Sequence, residues 1–302
     1  MAITFLACQK ESPTDPDNEK LQIGKNSVTT QVDGLERKYF VHVPATYDEK
    51  TASPVVFMLH GTTGDGEKFY QISGWKELGE KENVITVFPS SLAYCYVEDG
   101  KQKTNTKWHS SPGDVDYCNE NDRKDDVKFL RQIVAEVSAS LKIDPKRIYI
   151  VGFSSGGQMA LKAGLEASDL FAAAIEASGT AIDVINTKAA QQIPIGLQIG
   201  NSDPMFFQNP IHLSDFDDLL NASFFKHVID NHANGFGYKK NFTITGDTTR
   251  AVIANFEPIP SSKNNFFILL IKNMDHIYPN GVNFPFNGAQ AHWDWFKQYS
   301  KS

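Results

Sequence analysis

The sequence predicts an α/β fold, a mainly parallel sheet covered by helices on both faces, and three observations carry that prediction. Apolar runs of strand length recur along the 302 residues: Pro54 to Leu59, Val84 to Phe88, Arg147 to Ile150, Phe171 to Ala177, Ile193 to Ile199 and Phe266 to Ile271. These runs are continuous rather than alternating, the pattern of strands buried on both faces. Segments with helical spacing lie between them, and strands that alternate with helices call for a parallel sheet.

The elements follow in order. Leu35 to Pro44 alternates apolar and polar residues and reads as an edge strand. Phe69 to Glu82 reads as one helix between the Pro54 and Val84 strands. Val127, Leu130, Val134 and Val137 share a helical face, with Asp125 or Asp126 as the N-cap. Gln158 to Ala163 continues as helix after the Arg147 strand, and Phe216 to Asp230 and Ala289 to Tyr299 are the last two helices. Two segments break the rhythm. Ser90 to Asp122 is a long polar and aromatic loop, a length that is often functional. Tyr238 to Pro258 reads as a two-stranded ribbon turning at Gly246-Asp247. No internal repeat and no second domain is visible, so residues 26–302 are expected to form one catalytic domain.

Composition narrows the function. A formal net charge of −7 argues against a nucleic-acid or anionic-membrane partner. No run approaches the roughly 18 apolar residues of a membrane helix. Met1 to Cys8 is apolar and ends in a small residue and a cysteine, which makes Cys8 a candidate lipid-anchor residue of a trimmed lipoprotein or secretory signal. Residues 9–25, rich in Ser, Pro, Asp, Asn and Lys, read as a disordered tether. Together these imply a secreted, periplasmic or surface-anchored bacterial protein. In that setting Cys95 and Cys118, both inside the long loop, are expected to pair, a closure worth on the order of 3 kcal/mol.

The chemistry centres on Gly152-Phe153-Ser154-Ser155-Gly156, set between a strand and a helix. That is the nucleophile elbow of an α/β-hydrolase, where a strained turn needs small residues two before and two after the serine. A serine hydroxyl needs a base to take its proton. In this fold an acid and then a histidine follow the serine in the chain, each after a later strand. Asp203 comes after the Ile193 strand and His276 after the Phe266 strand. The expected roles are Ser154 nucleophile, His276 base and then acid, and Asp203 orienting the imidazole. His42, His227, His232 and His292 lie on an edge strand or on helices, and Asp275 points away from its neighbour. The oxyanion donors expected are the backbone N–H groups of Ser155 and of Thr62 in His60-Gly61-Thr62. His60 is read as shaping that loop.

These motifs resemble the polyhydroxybutyrate depolymerase and feruloyl esterase family. The resemblance rests on His60-Gly61-Thr62, Ser73-Gly74-Trp75, Val87-Phe88-Pro89, Asp125-Asp126-Val127, Ile143 to Tyr149, the elbow, and Asp275-His276 with Pro279-Asn280-Gly281. It runs from about Leu35 to Tyr299. It implies a secreted serine esterase needing no metal or other cofactor, whose substrate is a feruloyl or acetyl ester of plant polysaccharide or an aliphatic polyester, and the chain is expected to be a monomer. It also implies a substrate contact at Trp108. Tyr94, Tyr96, Trp108 and Tyr117 either wall an aryl pocket or anchor their loop. The chain departs from the family pattern at Ile277-Tyr278 and throughout Tyr94 to Asp122. Two other readings use the same scaffold, a glycan-binding surface protein without catalysis and an acyltransferase. Asp114, Asp116, Glu120 and Asp122 lack calcium-loop spacing and read as a solvated acidic loop.

Overall fold

The computed structural model describes residues 20–301 apart from 99, 111–115, 120–123, 181–187 and 260–264. Cys8, the 9–19 part of the expected tether, and Asp114, Glu120 and Asp122 lie outside the described residues.

A ten-stranded sheet forms the centre. Its strands are β1 (Gly24–Val32), β2 (Leu35–Val43), β3 (Ser53–Leu59), β4 (Ile85–Pro89), β8 (Ile143–Phe153), β9 (Ala173–Ala177), β10 (Ile195–Gly200), β11 (Tyr238–Asp247), β12 (Ala251–Pro258) and β13 (Phe266–Ile271). The spatial order is β1-β2-β4-β3-β8-β9-β10-β13-β12-β11. The six central strands, β4 to β13, are parallel. These are the continuous apolar runs, and β3, β4, β9, β10 and β13 are buried along their whole length. Antiparallel pairs close both sides, β1 and β2 at one edge and β12 and β11 at the other.

Helices cover both faces, as expected. α3 (Asp126–Ser140), α4 (Ser155–Glu166), α5 (Phe216–Asn221) and α6 (Ser223–Phe236) bury Phe129, Ile133, Met159, Phe216 and Val228 on one face. α1 (Gly66–Ile72), α2 (Trp75–Glu82) and α7 (Gly288–Phe296) bury Phe69, Trp75, Leu78, Trp293 and Phe296 on the other. Asp125 is the N-cap of α3, accepting the Lys128 N–H at 2.9 Å. Asp126 instead turns inward to Arg37 at 2.7 Å, both side chains buried. Removing either partner would leave an unpaired buried charge.

Four expectations change. The Phe69 to Glu82 helix is two helices, because Gly74 takes a φ of 78° between them. The Phe216 to Asp230 helix is likewise split at Ala222, which is extended at φ −68°, ψ 152°. The Leu35 strand is not the edge: β1 lies outside it and begins at Gly24, within the segment expected to be tether. The long loop carries a small sheet of its own, β5 (Ala93–Glu98), β6 (Lys101–Thr106) and β7 (Asp116–Tyr117), in the order β6-β5-β7. A disulfide joins Cys95 of β5 to Cys118 just after β7. Among the described residues no helix is long and apolar enough to cross a membrane.

Candidate active site

The site begins with the sharp turn from β8 into α4. Ser154 sits there at φ 55°, ψ −120°. A non-glycine residue in such a region costs on the order of 1–3 kcal/mol and persists only where its surroundings hold it. Here the Ser154 N–H donates to the Ala177 carbonyl at 2.8 Å, and its own carbonyl accepts from Gly157 at 2.8 Å. The turn tolerates no side chain at position 152, where a Cβ would lie 1.9 Å from the Gly156 carbonyl oxygen. Position 179 is as tight, since a Cβ there would lie 1.9 Å from the Ser154 carbonyl oxygen. Gly179 escapes sequence reasoning because its need arises only when β9 is laid beside the elbow.

The three predicted partners converge. Ser154 Oγ lies 3.0 Å from His276 Nε2. His276 Nδ1 lies 2.9 and 3.0 Å from the two carboxylate oxygens of Asp203. Asp203 is fully buried, and the His276 side chain is 24% exposed. Asp275 accepts the backbone N–H of His276 at 2.8 Å and takes no part in this chain of contacts. The loops carrying Asp203 and His276 are tied together by Asn201, whose Oδ1 accepts the Asn273 N–H at 2.6 Å, and by the Ser202 N–H on the Met274 carbonyl at 3.1 Å. A hydroxyl, an imidazole and a buried carboxylate linked in this order can pass the hydroxyl proton to the ring while the carboxylate steadies the cation that results.

Thr62 and Ser155 both border the cleft at Ser154. Ser155 is the first residue of α4, where backbone N–H groups have no partner within the helix and favour negative charge. The Thr62 loop is braced by neighbours. The Thr63 N–H donates to the Thr106 carbonyl at 2.9 Å, and Thr106 Oγ1 donates to the Gly64 carbonyl at 2.6 Å. His60 stands beneath this loop. Its Nε2 accepts the Ser91 N–H at 2.9 Å, which leaves Nδ1 as the donor to the Gly61 carbonyl at 2.7 Å. Burial pushes its pKa down to about 4, so the ring is neutral at pH 7.

The expected substrate contact at Trp108 is corrected. Trp108 is 0% exposed, donates its indole N–H to the His60 carbonyl at 2.8 Å and packs on the His60 ring. It anchors the loop from below. Tyr94, Tyr96 and Tyr117 are buried as well, Tyr94 and Tyr117 packing edge to face against each other, and of the four aromatics proposed for a pocket Tyr96 alone borders the cleft. The cleft holds about 560 Å³ and is bordered as well by Gln158, Met205, Phe206 and Phe224, which no sequence motif marked. A larger hollow of about 650 Å³ beside β1 contains none of the three converging groups.

The family profile described as "Putative esterase" matches residues 30–211, which takes in the elbow, the Thr62 loop and Asp203. The chain belongs to this esterase family. Among curated relatives it is 28% identical over 178 residues to feruloyl esterase B of Piromyces equi, covering 57% of this chain and 30% of that protein. It is also 28% identical over 140 residues to poly(3-hydroxyalkanoate) depolymerase C of Paucimonas lemoignei, covering 46% of this chain and 30% of that one. The esterase chain thus matches less than a third of the length of either relative. An acetyl xylan esterase from Aspergillus awamori superposes with a TM-score of 0.62 at 16% identity, covering 91% of this chain and 99% of that one. At that identity the likeness establishes the α/β-hydrolase fold.

Proposed function

We propose that this esterase-family chain is a serine carboxylic-ester hydrolase working through an acyl-enzyme on Ser154. The observation that carries the reading is the continuous contact from Ser154 Oγ through His276 to Asp203, at 3.0 and 2.9 Å. Ser154 Oγ attacks the ester carbonyl and gives its proton to His276 Nε2. The oxyanion that forms accepts the N–H groups of Thr62 and Ser155, each donor worth roughly 3–4 kcal/mol. Collapse expels the alcohol, which leaves with the proton from His276. Water then loses a proton to His276, attacks the acyl group and frees Ser154. Asp203, facing Nδ1, keeps the imidazole proton on that nitrogen in the resting enzyme.

The substrates proposed are feruloyl or acetyl esters of plant polysaccharide. The names of the Piromyces and Aspergillus proteins support that class, and the Paucimonas relative makes a polyester the competing substrate. Work outside the reducing cytosol is part of the reading and is supported by the Cys95–Cys118 disulfide. The test is release of p-nitrophenol from p-nitrophenyl acetate, with and without Ser154→Ala. Methyl ferulate, acetylated xylan and a hydroxybutyrate oligomer are then compared as substrates. Equal rates for wild type and Ser154→Ala would end the catalytic reading; turnover of the oligomer alone would transfer the substrate class to polyesters.

A further inference from the structure

Two kinds of chemistry meet in the lining of the cleft. Met205, Phe206 and Phe224 border it, with Met205 71% and Phe224 36% exposed. Apolar side chains of this size, left open to solvent where they meet a cleft, are the lining of a site for an apolar group. This wall is rigidly held. The Met205 N–H donates to Asp203 Oδ1 at 2.9 Å, and the Phe206 and Phe207 N–H groups donate to the Asp203 carbonyl at 3.1 and 3.0 Å. Phe206 meets Phe224 edge to face at 6.1 Å, and Phe224 meets the buried Phe225 at 5.1 Å.

The β5–β6 hairpin and the residue after it supply a polar part of the lining, Tyr96, Glu98, Lys103, Asn105 and Lys107, with Glu98 and Lys103 paired to each other. Asn105 Nδ2 donates to the Tyr96 hydroxyl at 3.2 Å, and the Lys107 ammonium lies 6.0 Å from the Tyr96 ring. The disulfide ties this hairpin to Cys118, and the Thr106 contacts hold it against the Thr62 loop.

We propose that Met205, Phe206 and Phe224 are the specificity-determining residues of the esterase, forming the subsite for an aryl group of the ester, with the hairpin facing its hydroxylated half. The inference rests on the hydrolase reading above. Ring edges and a thioether reward a flat aromatic ring with offset and edge contacts. An acetyl group has a single methyl to offer three apolar side chains, and an aryl group a whole ring. An aliphatic polyester has no ring to reward these aromatic edge contacts. The residues that select the substrate therefore come from Met205, Phe206 and Phe224 rather than from the aromatic residues of the long loop that the sequence pointed to.

The test compares kcat/KM on methyl ferulate and on methyl acetate for wild type, Met205→Ala and Phe224→Ala. Val282→Ala serves as control, since Val282 is 93% exposed and lies away from this cleft. The ferulate-to-acetate ratio is expected to fall about tenfold for Phe224→Ala, the size of one lost aromatic contact with its buried area, and to be unmoved by Val282→Ala. A second arm needs no turnover. Calorimetric binding of methyl ferulate to Ser154→Ala is expected to weaken by a similar factor when Phe224→Ala is added. Failure of hydrolysis with the binding difference intact would sink the catalytic reading and leave the subsite standing. An unchanged ratio, unchanged binding, or an equal loss on both esters would overturn the subsite.

Discussion

Replacing Asp203 by Asn tests the arrangement at its least forgiving point. The substitution preserves shape, and Asp203 is fully buried, so the effect comes from one exchanged atom. Oδ1 accepts the Met205 N–H at 2.9 Å as well as facing His276 Nδ1. In the variant the amide oxygen must keep that position, because an NH2 group there would meet the Met205 N–H donor to donor. The NH2 then occupies the Oδ2 position, 2.9 Å from His276 Nδ1. It can only donate, so it repels an Nδ1–H, while the one remaining acceptor, Oδ1 at 3.0 Å, is shared with the Met205 N–H; the balance shifts to the tautomer whose Nδ1 accepts and whose proton sits on Nε2. A base already protonated toward Ser154 Oγ cannot take its proton. Loss of the working tautomer in a triad costs about 10^4 in kcat, or about 5 kcal/mol of barrier. The assay is p-nitrophenyl acetate hydrolysis, read beside the thermal unfolding midpoint, which should move by only a few degrees. Asp275→Asn is the control, since the Asp275 side chain accepts the backbone N–H of His276, a bond the amide oxygen of Asn can keep, and activity should stay near wild type. Retention of more than a tenth of wild-type kcat by Asp203→Asn, or an equal loss in Asp275→Asn, would refute the assignment.

Other outcomes follow from the same contacts. Gly179→Ala forces a methyl against the Ser154 carbonyl at 1.9 Å, so more than a hundredfold loss of activity, or insoluble protein, is expected; normal kinetics would show that the elbow can relax. Trp108→Phe removes the hydrogen bond to the His60 carbonyl and should cost about 1 kcal/mol in urea unfolding; a rise in KM for methyl ferulate without a stability loss would restore the substrate-contact role. Breaking the Cys95–Cys118 bond opens a closure spanning 23 positions, and Cys95→Ser with Cys118→Ser should lower stability by about 3 kcal/mol; an unchanged urea midpoint would refute this. Burial pushes His60 down to about 4 and His292 down to about 3. The unfolded chain, with histidines near 6.5, takes protons first as pH falls, so each ring should cost about 2 kcal/mol of stability between pH 6.5 and 5. His232 acts in the opposite sense: burial lowers its pKa, but the Glu176 carboxylate outweighs this and the net shift is upward. His292→Gln compared with wild type cancels that contribution, and its stability should fall less steeply on acidification; parallel slopes would contradict the buried neutral ring.

The central strands were legible because strands buried on both faces must be apolar throughout, and β13 spans the same residues as its apolar run, Phe266–Ile271. The convergence of Ser154, Asp203 and His276 was legible for a related reason: each stands just beyond a strand end, where chain order fixes spatial order. β1 was not, because its exposed Ser, Thr, Lys and Gln side chains alternate weakly and resemble a tether. The breaks at Gly74 and Ala222 were hidden inside longer helical patterns. Trp108 shows a different limit: an aromatic residue in a loop has the same sequence signature whether it lines a cleft or lies beneath it. Met205 and Phe206 belong to a short turn, too brief for periodicity to register. Glu176 and His232, fully buried and 2.7 Å apart, were unreadable because neither residue alone signals an interior partner.

The turn after β10 has a consequence for how such an enzyme changes over generations. One carboxylate, Asp203, orients His276 with one face and holds the Met205 N–H with the same oxygens. Insertions or deletions between 203 and 206 would shift the acid and the apolar wall together, so that route to a new ester passes through an inactive protein. Point substitutions at 205 and 206 leave the backbone donors in place. Phe224 lies on α6, outside the turn. Variation by exchange is open at this wall while variation by length is closed, and a library built for altered substrate choice should respect that division.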